Sequence, residues 1–272
     1  MTLDWDPTLH TAVLACAVLA ALVWVLSLIT REYSWVDRLW SLAPPGYVIA
    51  FAYASGWSPR NVVMVILAVA WGARLTFNYA RKGGYARGGE DYRWKALRER
   101  MHPALFQVFN VCFIAAFQNA LLLGMTLPAW AAARSSAPLG ALDLVAAAAF
   151  AGFLVMETVA DEQQWKFQSD KAARKARGEE ISSEFVTTGL FRFSRHPNFF
   201  AEQAMWWAFY LFSVGAGAGA LNVTIVGAAV LTALFQGSTN FTEKLTLAKY
   251  PAYAEYQRRT SRLLPLPPKD GL

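Results

Sequence analysis

The stretch Phe191-Arg192-Phe193-Ser194-Arg195-His196-Pro197-Asn198-Phe199-Phe200-Ala201-Glu202 sets two arginines, a histidine, an asparagine and a glutamate at the mouth of an apolar segment. That segment runs on through Trp206, Trp207 and Leu211. Ionisable groups at the edge of a bilayer span are costly and mark sites more often than packing accidents. Arginine in such a place suits bidentate contact with phosphate. Upstream, Glu157 and Asp161 stand one helical turn apart, and Gln164 and Gln168 continue their face. Carboxylates there can accept hydrogen bonds from ribose hydroxyls or an amide, or pair with Arg192 and Arg195. An ordinary helix end leaving the membrane has the same composition.

Two further constellations share this chemistry. Gly83-Gly84-Tyr85-Ala86-Arg87-Gly88-Gly89-Glu90-Asp91-Tyr92-Arg93-Trp94 interleaves glycines with charges and aromatics. It lacks the strand–turn–helix setting of a Rossmann or P-loop motif. As a site it is an anion-binding surface for a nucleotide; otherwise it is a basic loop against lipid headgroups. Before it, Arg74, Asn78 and Arg81 share one helical face beside Tyr79. An arginine inside a span must pair or snorkel, and Asp37, next to Arg38, is a partner of the right sign.

Other chemistries are excluded by what is missing. Only His10, His102 and His196 exist, with no pair at helical spacing and no nucleophile elbow, which argues against Ser-His-Asp, haem and di-iron sites. Cys16 and Cys112 lie in apolar runs and support neither a disulfide framework nor a zinc site. No metal is expected.

The elements that must position these residues are membrane helices. Hydrophobic residues make up 56% of the 272 and charged residues only 16%, against about 25% charged in a soluble domain. Mean hydropathy is +0.28. Residues 9–29 contain no Lys, Arg, Asp or Glu, follow Asp4 and Asp6 rather than a positive region, and precede no small-residue cleavage site. They read as a retained span, not a signal peptide. Further spans are expected at 39–56, 61–79, 105–131, 138–159, 199–215 and 219–238, seven in all. Pro44-Pro45 should kink or break the second near its start. Residues 163–188 read as a soluble-looking helix and a polar linker. Seven Lys and Arg lie between spans three and four, seven between five and six, and six in the tail; the opposite loops carry only Arg60 and Arg134. This asymmetry puts the N-terminus outside and the C-terminus in the cytoplasm. It also explains the net charge of +6 without nucleic acid. The expected fold is an all-α polytopic membrane bundle, with 1–134 on the substrate side and 138–268 on the cofactor side.

Read together, Glu157-x-x-x-Asp161, Thr188-Gly189-Leu190-Phe191, Ser194 to Glu202, Glu243-Lys244 and Tyr250-Pro251-x-Tyr253-x-x-Tyr256-Gln257-Arg258-Arg259 resemble the membrane steroid 5-alpha-reductase superfamily. The bacterial branch labelled DUF1295 looks most similar, and Gly89-Glu90-Asp91-Tyr92-Arg93 also looks like it. The resemblance implies seven spans whose C-terminal half holds NADPH and which reduce a carbon–carbon double bond conjugated to a carbonyl. It implies cofactor contacts for Glu157, Asp161, Gln164, Arg192, Arg195, His196, Asn198, Glu202, Glu243, Tyr253, Tyr256 and Arg259. A proton donor is then expected at Tyr79 or Tyr92, with Glu32 and Asp37 the nearby acids. A lipophilic, steroid-like or isoprenoid-like substrate would enter sideways among spans one to four, in a bacterial inner membrane, with the site toward the cytoplasm. The motif Arg195-His196-Pro197, a later glutamate and Tyr253-x-x-Tyr256 is also similar to membrane methyltransferases of the isoprenylcysteine and phospholipid type. That alternative implies S-adenosylmethionine. A small transporter fits less well, because its charges would sit at the midplane of broken helices rather than at one face.

Overall fold

Capping residues and prolines open most of the helices. In the computed structural model, which describes residues 6–181 and 183–269, Asp6 accepts from Leu9 N–H at 2.8 Å and starts α1 (Pro7–Thr30). Ser58 does the same for Asn61 at the head of α4 (Pro59–Arg81). Proline at the first helical position costs nothing there, because its missing N–H would be an orphan. Between them the expected second span is two helices, α2 (Trp35–Trp40) and α3 (Ala43–Ala54). Pro44 and Pro45 cannot donate to the carbonyls of Trp40 and Ser41, so the helix breaks before them. The 12 residues of α3 fall short of the roughly 20 that cross a bilayer.

After α5 (Tyr92–Arg100), α6 (Pro103–Phe109) runs without a break into a π-helix (Asn110–Phe117) and then α7 (Gln118–Ala133). The wider π winding brings residues four apart nearly into eclipse. Phe109, Phe113 and Phe117 therefore stack with centroids 4.8 and 5.2 Å apart. The long helix α8 (Ala141–Ala176) follows, then α9 (Pro197–Ser213) with a π-helical end (Val214–Ala218), α10 (Ile225–Lys249) and α11 (Tyr253–Arg259). The separate helix expected from residue 163 is the end of α8. Among the described residues four helical runs are long and apolar enough to cross a membrane: Pro7–Thr30, Pro59–Arg81, Pro103–Ala133 and Ala141–Ala176. Among the described residues the regular elements are all helical, apart from a parallel bridge between Ser194 and Ser261.

The chain forms two compact units. The first comprises Met1–Ala148 and Trp206–Leu231. Its centre is α7, buried along Leu121, Leu122, Met125, Ala129 and Trp130, with α1, α3 and α4 packed around it. At one end Arg60 closes the bundle. It forks onto Asp143 (2.8 and 2.9 Å) and donates to the carbonyls of Ala137, Pro138 and Gly215. Arg60 and Asp143 are only 3% and 2% exposed. The second unit comprises Ala149–Met205 and the chain from Thr232 onward. Ala160, Val186 and Phe191 form a core there, with Phe167 and Leu190 packed on it.

Candidate functional site

In the first unit the residues of interest gather around Tyr79, near the end of α4. Its hydroxyl oxygen is buried and makes no hydrogen bond, and its ring meets Tyr85 edge-on at 5.1 Å. The chain folds directly back over it. Gly84 N–H donates to Tyr79 O at 3.0 Å, and a Cβ on Gly84 would lie 2.3 Å from the ring's Cζ. Only glycine permits that approach.

The covering loop is bolted to the segment after α1. Arg38 donates to Gly84 O (3.1 Å) and Ala86 O (3.3 Å) while paired with Glu32 at 2.8 Å. Glu32 also accepts from Gly88 N–H, Glu90 from Tyr33 N–H, and Ser34 from Asp91 N–H. The Gly88 N–H and then Arg38 hold the Glu32 carboxyl below its usual range. Asp37 accepts from Trp94 Nε1 at 2.8 Å. Desolvation, and then the charge of Asp91, push the Asp37 carboxyl above its usual range. Asp37 and Arg38 are the strongest charges acting on the Tyr79 hydroxyl, and Ser34 stands beside it outside hydrogen-bonding geometry. Tyr79 and Asp37 are thus brought together. Tyr92, at the first position of α5, is 57% exposed.

In the second unit the loop before α9 is held from both sides. Gln163 on α8 accepts from Leu190 N–H at 2.9 Å, and Tyr256 donates to Phe191 O. The tail lies along the same loop: Arg195 N–H donates to Ser261 O, His196 N–H to Arg262 O, and Leu266 N–H to Phe193 O. Glu243 sits at the hub. Arg195 forks onto it at 2.7 and 3.0 Å, His196 Nε2 lies 3.0 Å away, Gln257 donates at 2.9 Å and Tyr253 at 3.4 Å. Arg195 Nη1 is also taken, by the carbonyls of Gln257 and Thr260. Burial pushes the Glu243 carboxyl up, but the bonds from His196 and then Arg195 prevail and hold it at about 2. Burial, and then the Glu243 charge, push the Tyr253 phenol up.

Three more carboxylates of this unit are buried: Glu157 (5% exposed), Asp161 (4%) and Glu202 (5%). Phe153 packs edge-on against Phe200 at 5.9 Å, so the α8 face that carries Phe153, Glu157 and Asp161 meets α9. Asn198 and Glu202 stand four apart at the start of α9, and Gln164 is partly buried on α8. Buried acids persist only with donors around them. Arg192, Tyr256 and Arg259 line a hollow of about 490 Å³ together with Thr187, Thr260 and Lys269. Its acid, Glu255, pairs with Arg259 at 2.6 Å. Sequence reasoning missed Ser34, Trp94, Gln163, Gln257 and Lys269. Trp94 and Gln257 lie inside motifs already named but carry no ionisable group, and Ser34, Trp94, Gln163 and Gln257 act through partners 14 to 57 residues away.

The family model described as "Protein of unknown function (DUF1295)" matches residues 23–260. An uncharacterized protein of Schizosaccharomyces pombe is 39% identical over 264 residues, covering 91% of this chain and 77% of its own length. No solved structure matches. The family match takes in Tyr79 and Asp37 as well as the Glu243 hub, and with it this chain belongs to the DUF1295 family.

Proposed function

We propose that the protein is a membrane-embedded, NADPH-dependent reductase of a carbon–carbon double bond conjugated to a carbonyl in a lipophilic substrate. The observation that carries this reading is Tyr79: a buried phenol with no hydrogen-bond partner, next to a desolvated acid and under a tightly bolted loop. Transfer of a methyl group to a carboxylate or phospholipid amine has no use for such a donor. Reduction of an enone does, because charge develops on the carbonyl oxygen.

The residues of the second unit fit the cofactor. Its ribose hydroxyls and carboxamide need acceptors, which Glu157, Asp161 and Glu202 supply. Its phosphates need cations, which Arg192, Arg259 and Lys269 supply around the hollow. When bound, NADPH supplies the hydride that goes to the β-carbon. The chain's own residues do the rest. Tyr79 donates to the carbonyl oxygen and yields its proton to give the enol, which tautomerises as its O–H proton is lost and one is gained at the α-carbon; the net uptake is one hydride and one proton. Asp37, favoured in its neutral form by desolvation, returns a proton to Tyr79. Arg195 and His196 act through Glu243, fixing the loop that carries Arg192.

The likeness of residues 157–202 and 243–259 to the steroid 5-alpha-reductase superfamily supports the same reading. So does the distribution of Lys and Arg, from which we infer seven spans, an outer N-terminus and a site on the cytoplasmic face. In this topology residues 39–56, 199–215 and 219–238 complete the four long apolar helices.

Thermal melting of the purified protein tests the assignment. NADPH should raise the melting temperature and S-adenosylmethionine should not. Asn198→Ala or Glu202→Ala should remove the shift. Arg177→Ala should keep it, because Arg177 is exposed and pairs only with Glu179 in the same turn. Stabilisation by S-adenosylmethionine alone would move the protein to the methyltransferases.

A further inference from the structure

Apart from the Tyr79 site, Asn110, Asn119, Gln118 and Tyr47 lie deep in the first unit, each with a polar atom unpaired. Asn110 and Asn119 are fully buried, Gln118 is 4% exposed and Tyr47 is 6% exposed. The unpaired atoms are Tyr47 Oη, Gln118 Nε2, Asn119 Oδ1 and Asn110 Oδ1. Three of the four share one level of the bundle. Asn110 Nδ2 donates to Ser27 Oγ at 2.8 Å and Trp130 Nε1 to Asp6 Oδ2 at 2.8 Å, so α1 runs antiparallel along residues 103–133. That register sets Cys16 opposite roughly residue 120, within a turn of Gln118 and Asn119. The Cys16 thiol lies against the Tyr47 hydroxyl but outside hydrogen-bonding geometry. Gln118 is also the middle residue of the Pro103–Ala133 run, and Cys16 falls near the middle of α1. The layer therefore sits at mid-span, where no water is at hand to satisfy it.

The local backbone supports a ligand there. The π-helix ends at Phe117, directly before this pair, and Asn119 Nδ2 donates to Ala115 O within it at 2.9 Å. Inserted π turns are frequent at functional sites. The amide of Asn119 is thereby fixed with its oxygen left over, while Gln118 keeps a donor. A donor and an acceptor on consecutive residues, with a phenol at the same level, complement one group that both accepts and donates: a hydroxyl.

We propose that this layer is a polar subsite for a membrane-soluble alcohol, whose oxygen accepts from Gln118 Nε2 and whose proton goes to Asn119 Oδ1 or Tyr47 Oη. It deepens the reductase reading, on which it rests for its biological meaning, by giving the substrate a hydroxyl remote from the reacting bond.

The test needs neither cofactor nor turnover. The detergent-purified protein is melted with two pairs of probes: cholesterol against cholestene, and geranylgeraniol against its hydrocarbon counterpart. In at least one pair the alcohol should bind about tenfold tighter than the hydrocarbon, the effect of one or two buried hydrogen bonds. Gln118→Met and Asn119→Leu should each remove that preference. Without ligand Gln118→Met should melt no lower than wild type, because it deletes an unsatisfied donor; Asn119→Leu also gives up the bond to Ala115 O and is read by its selectivity alone. Equal binding of alcohol and hydrocarbon by the wild type in both pairs overturns the proposal. Preference retained in both variants overturns it as well. Alcohol selectivity in a protein that ignores NADPH would sink the reductase reading and leave the subsite standing.

Discussion

Tyr79→Phe keeps the ring that Gly84 packs against and deletes only the hydroxyl. Enone turnover should fall by about 100-fold or more, the usual size of a general-acid contribution, while the NADPH-induced rise in melting temperature persists. Tyr92→Phe should leave turnover unchanged, because that side chain faces solvent. Unchanged turnover in Tyr79→Phe would reject its role. Glu243 gives a second prediction, through pH. Its carboxyl is held at about 2 against an ordinary 4.5, so its stabilising effect is complete above 4.5 and fades as pH falls toward 2. Wild type should therefore melt well above Glu243→Gln at pH 6, and the gap should narrow steadily below pH 4.5. A gap of constant size would show that the hub does not depend on the charge. At this scale the sequence marks residues by type and does not show what each one binds. Glu243, Arg195, His196 and Tyr253 stood out by type. That they bind one another followed only from folding, since Arg195 and Glu243 are 48 residues apart.

Among the elements, spans marked by long uncharged runs were legible, and so was the break at Pro44-Pro45, because a missing N–H has the same effect in any context. The continuity of α8 was legible in principle. Its composition turns polar near Asp161, which suggested a boundary, yet no proline or glycine interrupts it between Gly152 and Gly178. The π-helices were not legible, since hydropathy does not distinguish i+4 from i+5 bonding. Two elements invite mutation. Gly84→Ala places a methyl group inside the van der Waals radius of the Tyr79 ring. It should cost turnover as much as Tyr79→Phe does, and Gly152→Ala, at an exposed position of α8 with open space around it, should not. Arg60 looked in the sequence like a lone loop cation and is instead a buried five-bond clasp. Arg60→Ala should destabilise by about 3–5 kcal/mol in chemical denaturation, because it leaves Asp143 buried and unpaired. A loss under 1 kcal/mol would contradict the clasp.

For the whole molecule, the sequence read linearly as an N-terminal and a C-terminal half. The contacts instead interleave: residues 206–231 belong with the first unit, between two segments of the second. Burial creates that pattern, and no local signal carries it. Orientation is the corresponding prediction. Reporters fused after residues 95, 178 and 269 should be active only in a form that works in the cytoplasm. A mixed pattern would sink the seven-span topology and the facing of the site inferred from it.

The tail that runs along the loop before α9 also has a consequence in time. Translation adds roughly 5–20 residues per second, so the 73 residues that separate His196 from Lys269 take about 4 to 15 seconds to make. Through that interval Arg195 and His196 are already synthesised, but at first Glu243, and until the end the Ser261 and Arg262 carbonyls, do not yet exist. Arg195 is thus for a time without its carboxylate at a membrane surface, free to hold anionic lipid. The Glu243 hub and the loop it fixes cannot form until the chain has been made past Arg262. Any pause or truncation before residue 261 strands a chain whose first unit can close while the second cannot, and such a species is a natural target for membrane quality control.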